Sequence, residues 1–203
     1  MKFKSKQTER MYTVLFMAIV TVVFIAVTSG IYLYTRDKII TNKTLFIKKA
    51  VLFAANIDVG DSAKDIEETY KKSIKEIRDA DGKLKYMEVY AGGNGKLTGY
   101  AVIVTGPGLW GEIEAVLGFD RDLKKMTGID FIKQNETPGL GARISEKWFR
   151  EQFRDRMGPF KLVPEGTAKG GNEIDAITGA SITSNAVLDI VNRTISNVRE
   201  IVK

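Results

Sequence analysis

Asp175-Ala176-Ile177-Thr178-Gly179-Ala180-Ser181-Ile182-Thr183-Ser184 runs straight into residues 185–202, where Val187, Ile190, Val191, Ile195, Val198 and Ile201 recur on one broad side. That spacing predicts a long C-terminal helix with an apolar face that needs a surface to cover. Four hydroxyl side chains and a glycine sit where the helix should begin. Two readings stand for them. Hydroxyls beside the partnerless amides of a first helical turn, at the positive end of the helix dipole, make an anion site suited to phosphate. In the plainer reading, Thr183 or Ser184 is an N-cap that closes the helix.

Upstream the sequence supplies the surface. Past Asp81-Gly82 the apolar period changes to two: Tyr86, Glu88 and Tyr90 alternate with Met87 and Val89. Gly92-Gly93-Asn94-Gly95 then makes a turn, and residues 97–105 return as a second strand. Residues 112–120 and 125–133 read as two more strands joined through Asp120-Arg121-Asp122. An antiparallel sheet of about four strands needs helices on one face. A helix over 145–155, with Trp148, Phe149 and Phe153 grouped, and the C-terminal helix can cover it. The fold class is α+β.

Two loops carry more glycine than turns require. Thr105-Gly106-Pro107-Gly108-Leu109-Trp110-Gly111 reads by itself as a tight turn with one buried indole. Gln134-Asn135-Glu136-Thr137-Pro138-Gly139-Leu140-Gly141-Ala142-Arg143 follows a strand and precedes a helix. Its glycines let backbone approach a ligand, and Leu140 between two of them has no solvent-facing purpose. An apolar side chain beside exposed amides suits a flat heteroaromatic ring; an empty irregular loop is the other reading.

Composition narrows the chemistry. The chain has 203 residues, a net charge of +6, no Cys and no His. There is accordingly no disulfide, thiol nucleophile, Cys-ligated cluster or imidazole base, and no metal site or catalytic residue is expected. Redox chemistry would require a bound organic cofactor. Lys and Arg are interleaved with Asp and Glu, the pattern of a soluble surface and not of a nucleic-acid binder.

Residues 11–34 contain no charge and are long enough to cross a hydrocarbon core of roughly 30 Å as a helix. Lys2, Lys4, Lys6 and Arg10 precede them against a single Glu9, which places residues 1–10 in the cytoplasm and the remainder outside. The expected anchor is single-pass, uncleaved and set in the inner (cytoplasmic) membrane. Residues 35–84 read as a helical linker, with one helix continuing to about residue 57 and an amphipathic one over 62–79 carrying Ile66, Tyr70, Ile74 and Ile77. Residues 85–203 form the remaining domain.

Three motifs point further. Asp175, Thr178, Gly179, Ala180 and Ser181, the Glu136-Thr137-Pro138-Gly139-Leu140-Gly141 run, and Gly108-Leu109-Trp110-Gly111 occur in an order and at separations that resemble the covalent-FMN subunits of Rnf and Na⁺-translocating NADH:quinone oxidoreductase complexes, the RnfG/NqrC family. The likeness covers residue 86 to the C-terminus and the anchor. It implies FMN joined by a phosphoester, through a dedicated flavin transferase, to the last hydroxyl of the motif. Ser181 stands there in place of the family's usual Thr, and Thr183 is the fallback acceptor. The likeness also implies that Thr178, Gly179, Ala180, Ile182 and Ser184 border the cofactor, that Glu136, Thr137, Gly139, Leu140 and Gly141 lie against its ring, and that Trp110 walls the pocket. Lys169 becomes a cationic neighbour, and Asp175 serves transferase recognition or helix-start geometry.

The function so implied is electron transfer through covalent FMN in a membrane-bound, ion-translocating Rnf-type complex, a non-autonomous redox subunit whose partners are other integral and redox subunits and membrane lipid. The equivalent component of the sodium-pumping quinone reductase is the near alternative. A membrane-tethered module holding a non-covalent ligand, or a stand-alone flavinylated redox domain, are readings of other kinds.

Overall fold

The computed structural model describes residues 6–92 and 95–203. Lys2, Lys4 and the side chain of Lys6, and Gly93 and Asn94 of the first hairpin turn, lie outside the described residues. The chain divides into two compact units, Met1–Thr44 and Leu45–Lys203.

Helix α1 (Lys6–Ala54) supplies the described part of the first unit and the opening residues of the second. It is long and apolar enough to cross a membrane. Within the first unit its large apolar side chains, Phe16, Val22, Phe24 and Ile31 among them, are exposed. The hydroxyls of Thr13, Thr21, Thr28 and Thr35 each donate to the carbonyl four residues earlier. Such back-bonding satisfies a polar group without water, as a hydrocarbon surrounding demands.

The second unit is built on an antiparallel sheet in the order β1 (Ile74–Arg78), β2 (Leu84–Tyr90), β3 (Leu97–Pro107), β4 (Glu112–Asp120), β5 (Met126–Lys133). The amphipathic helix expected over 62–79 is therefore corrected: α2 (Ala63–Ser73) is capped by Ser62 and ends where Ile74 turns extended. Ile74 and Ile77, three apart, share a face of a helix but lie on opposite faces of a strand, and pairing with Val89 and Tyr86 makes the strand. The sheet has five strands where about four were expected.

Both faces are covered. Val51, Leu52 and Ala54 of α1 with Ile66 and Tyr70 of α2 pack on Met87, Val89, Ala101 and Val116. On the opposite face Val102, Ile113, Leu117, Ile129 and Phe131 meet Phe149, Phe153, Ile177 and the Val187, Ile190 and Val191 stripe of α4 (Ser181–Ile201). Each fully buried Val or Ile of that stripe contributes about 1.5–3 kcal/mol. The helix expected over 145–155 is shorter. It is a 3-10 turn (Gly141–Ser145) followed by α3 (Lys147–Glu151). Arg150 of α3 pairs with Asp130 at 2.6 Å, and its guanidinium lies 4.2 Å from the centre of the Phe53 ring. Burial pushes the Asp130 carboxyl up, and Arg150 opposes the shift. A parallel pair, β6 (Lys161–Val163) and β7 (Glu173–Asp175), then leads into α4.

Candidate functional site

Helix α4 begins at Ser181, four residues earlier than its apolar spacing predicts, with Ala180 at the N-cap and no side chain capping it. Thr183 and Ser184 lie inside the first turn, so neither is the N-cap. The hydroxyls of this run have separate fates. Ser184 is buried, accepts the amide hydrogen of Ile177 at 3.0 Å and donates to Ala180 O at 3.0 Å. Thr183 is buried and donates to Glu136 Oε2 at 2.6 Å. Ser181 is exposed, and its hydroxyl takes no hydrogen bond among the described residues. Thr178 is exposed and its amide donates to Glu165 Oε2 at 2.7 Å.

Glu136 joins the three motif runs. It is 5% exposed, and its Oε1 accepts the amide hydrogens of Leu109 at 2.9 Å and Trp110 at 3.2 Å. Space around it is tight. A methyl group on Gly141 would stand 2.7 Å from Thr183 Oγ1 and 2.9 Å from Glu136 Oε2, and one on Gly108 2.5 Å from Glu136 Oε1. Thr137, exposed, turns its carbonyl back to accept the amides of Leu140 and Ala142, with Gly139 at φ +74° between them. Gly179, at φ +78°, faces Leu140: a methyl group there would lie 3.0 Å from Leu140 Cδ2.

Four large apolar side chains border this junction and remain in solvent: Leu109, Trp110 at 68% exposed, Leu140 and Ile182. The buried indole expected at Trp110 is thus corrected. The Gly108-to-Gly111 turn, closed by a 2.7 Å amide-to-carbonyl bond, sends the ring outward because its two following amides are committed to Glu136.

The remaining residues sit apart from Glu136. Asp175 Oδ1 accepts the amides of Thr167 and Ala168 while its own amide donates to Gln152, so its side chain shapes the approach to the helix. Lys169 is exposed, and its amide donates to Glu173. Sequence reasoning missed Arg143 and Glu165. Glu165 bridges the Thr178 amide to the Arg143 guanidinium, 3.1 Å away, and these donors draw its carboxyl down to about 2, the Thr178 amide most strongly. Arg143 is the last residue of the second glycine loop, which is a signal; Glu165 lies in an unmarked loop and offers none. A groove of about 400 Å³ beside Ser181 is lined by Leu162, Pro164, Glu165, Ile177, Thr178 and Asn185.

These residues fit a flavin nucleotide. Exposed apolar side chains held in fixed positions suit a flat ring, and an unengaged hydroxyl at the first residue of a 21-residue helix lies where a phosphate is favoured. The described residues hold no cluster of metal-ligating side chains.

Comparison with known proteins agrees. Residues 108–196 match the FMN-binding domain family. The chain is 43% identical over 149 residues to the G subunit of the Na⁺-translocating ferredoxin:NAD⁺ oxidoreductase complex of Acetobacterium woodii, covering 70% of each chain. It is 35% identical over 105 residues to the G subunit of the ion-translocating oxidoreductase complex of Methanosarcina acetivorans, covering 52% of this chain and 54% of that one. With the C subunit of the Na⁺-translocating NADH-quinone reductase of Vibrio campbellii the identity is 32% over 172 residues, 76% of this chain and 64% of the relative. The match therefore spans about half to 70% of these relatives' own lengths. The crystal structure of the corresponding Na⁺-translocating NADH-quinone reductase subunit from Parabacteroides distasonis superposes with a TM-score of 0.66 at 25% identity, over 83% of this chain and 97% of that one. Shewanella oneidensis NqrC shares the fold, with a TM-score of 0.65 at 19% identity, over 73% and 90%. Two glycine loops and the first turn of α4 meeting at one buried carboxylate, the domain match and the shared fold together place the chain in the family of FMN-binding subunits of Rnf and Na⁺-translocating NADH:quinone reductase complexes.

Proposed function

We propose that this chain is a membrane-anchored electron-transfer subunit that carries FMN on Ser181 through a phosphoester, within an Rnf-type ion-translocating oxidoreductase complex. The observation that carries the reading is the division of labour among hydroxyls at the start of α4. Thr183 and Ser184 are buried and bonded, whereas Ser181 is exposed and unengaged. FMN, when bound, supplies the redox chemistry, which a chain without Cys or His does not offer from its own side chains.

The protein's own contribution is placement. The amides at the start of α4 favour the phosphate, Leu109, Trp110, Leu140 and Ile182 receive the ring, and the glycines at 139, 141 and 179 let backbone approach it. Thr178, Gly179 and Ala180 set the entry to the helix. Lys169 adds positive charge to the approach, and Asp175 shapes the loop that a flavin transferase would have to recognise. Greater identity to the relative from the ferredoxin:NAD⁺ oxidoreductase than to the one from the quinone reductase supports the Rnf assignment. Residues 1–10 are cytoplasmic, 11–34 cross the inner membrane, and the extracytoplasmic FMN domain takes in, beside 85–203, the part of the expected 35–84 linker that packs on or joins the sheet, Leu45 onward, with the other integral and redox subunits and lipid as partners.

The test is intact mass and in-gel flavin fluorescence of full-length protein from a host with the transferase. Wild type is expected to be heavier by one FMN less a water, Ser181→Ala unmodified and Thr183→Ala modified. Flavin retained in Ser181→Ala overturns the choice of acceptor, and an unmodified wild type overturns the covalent reading.

A further inference from the structure

Among the described residues Glu136 is the one acidic or basic side chain buried to this degree. Removing a carboxylate from water is costly unless donors converge on it. Three do: the amides of Leu109 and Trp110 and the hydroxyl of Thr183. What those donors carry is informative. Leu109 and Trp110 are two of the four exposed apolar side chains, Ile182 precedes Thr183, and Leu140 precedes Gly141, which is packed against both Glu136 and Thr183. Every member of the apolar platform is therefore within one residue of a contact made by this carboxylate or its hydroxyl partner.

We propose that Glu136 is a positioning residue that never needs to touch the cofactor: with Thr183 it braces the platform, and its carboxylate lowers the midpoint potential of a flavin received there. This rests on the FMN reading. The physical ground is simple. Reduction adds electrons to the ring, and a carboxylate separated from it by single residues, in surroundings that screen poorly, opposes that addition. Thr183 is accordingly a structural hydroxyl whose occupation by Glu136 keeps it from serving as an acceptor.

The experiment uses full-length protein purified in detergent with FMN installed. Glu136→Gln keeps the shape and removes the charge, Thr183→Val keeps the volume and removes the donor, and Thr183→Ser returns the donor. Loading is read by mass, ring environment by visible circular dichroism, and potential by spectroelectrochemical titration. The expected results are an upward shift of midpoint potential in Glu136→Gln, loss of visible dichroism in loaded Thr183→Val, and its recovery in Thr183→Ser. Loaded Glu136→Gln and Thr183→Val proteins with wild-type potential and dichroism overturn the brace. If Glu136→Gln does not fold, the Thr183 pair still decides, since an unchanged spectrum in Val, or no recovery in Ser, overturns the proposal. Failure of the underlying reading looks different: wild type then carries no covalent FMN at all.

Discussion

The hydroxyl of Thr127 donates to the carbonyl of Ala54 at 2.7 Å, tying the last turn of α1 to β5. Beside this bond the helix end lies so close to the sheet that a methyl group on Gly118 would stand 2.0 Å from the Ala54 carbonyl oxygen. Backbone cannot yield as a side chain can. Gly118→Ala is expected to cost about 3 kcal/mol or more, read as a lower urea midpoint of the detergent-solubilised protein. Gly30→Ala, with nothing within 4 Å, should leave that midpoint nearly unchanged.

Ser184 and Ser181 separate stability from modification. Ser184→Ala leaves the buried amide of Ile177 without its acceptor, and a loss of about 1–3 kcal/mol is expected by chemical unfolding. Ser181→Ala removes an exposed hydroxyl and should change stability by less than about 0.5 kcal/mol.

At Gly179 the backbone stands at φ +78°, where an L side chain is strained, and the added carbon would press on Leu140. Gly179→Ala is expected to lose about 1–3 kcal/mol in urea unfolding and to load less FMN, measured by intact mass.

Glu165 gives a pH dependence of known sign. Its carboxyl is drawn from an ordinary 4.5 to about 2, first by the Thr178 amide, then by the Thr178 hydroxyl and Arg143. A value lowered on folding means that the contribution is complete above about pH 4.5 and disappears as pH falls toward 2. The group is exposed, so the effect is confined to the loop before α4. Hydrogen-exchange protection of the Thr178 amide should drop over that interval in wild type and stay low and flat in Glu165→Gln.

The α+β class, the sheet from residue 86 onward and the C-terminal helix were legible because each rests on a period held over many residues. Ile74 and Ile77 were misread because two isoleucines three apart fit a helix face and carry no two-residue alternation that would mark a strand. Tertiary pairing chose the strand. The start of α4 was displaced because Thr183 and Ser184 look like caps, yet Ala180 takes that position and those two hydroxyls are engaged by Glu136 and Ile177. Trp110 was read as a buried indole from its loop alone and as a wall of the pocket from the family likeness; its ring is exposed, while its amide and that of Leu109 are held by Glu136. The Glu165 bridge could not be foreseen, since nothing local links residue 165 to residues 143 and 178.

An unfolded chain would present Thr178, Ser181, Thr183 and Ser184 as near-equivalent nucleophiles on a flexible tether. With Ser184 taken by Ile177 and Thr183 by Glu136, the two buried oxygens are withdrawn and only the exposed ones, on Thr178 and Ser181, remain within reach. Under the proposed attachment of FMN, the choice among the four is narrowed by the chain's own tertiary structure, and an enzyme acting on this segment would inherit that part of its selectivity. Maturation would then have an order: collapse first, labelling second.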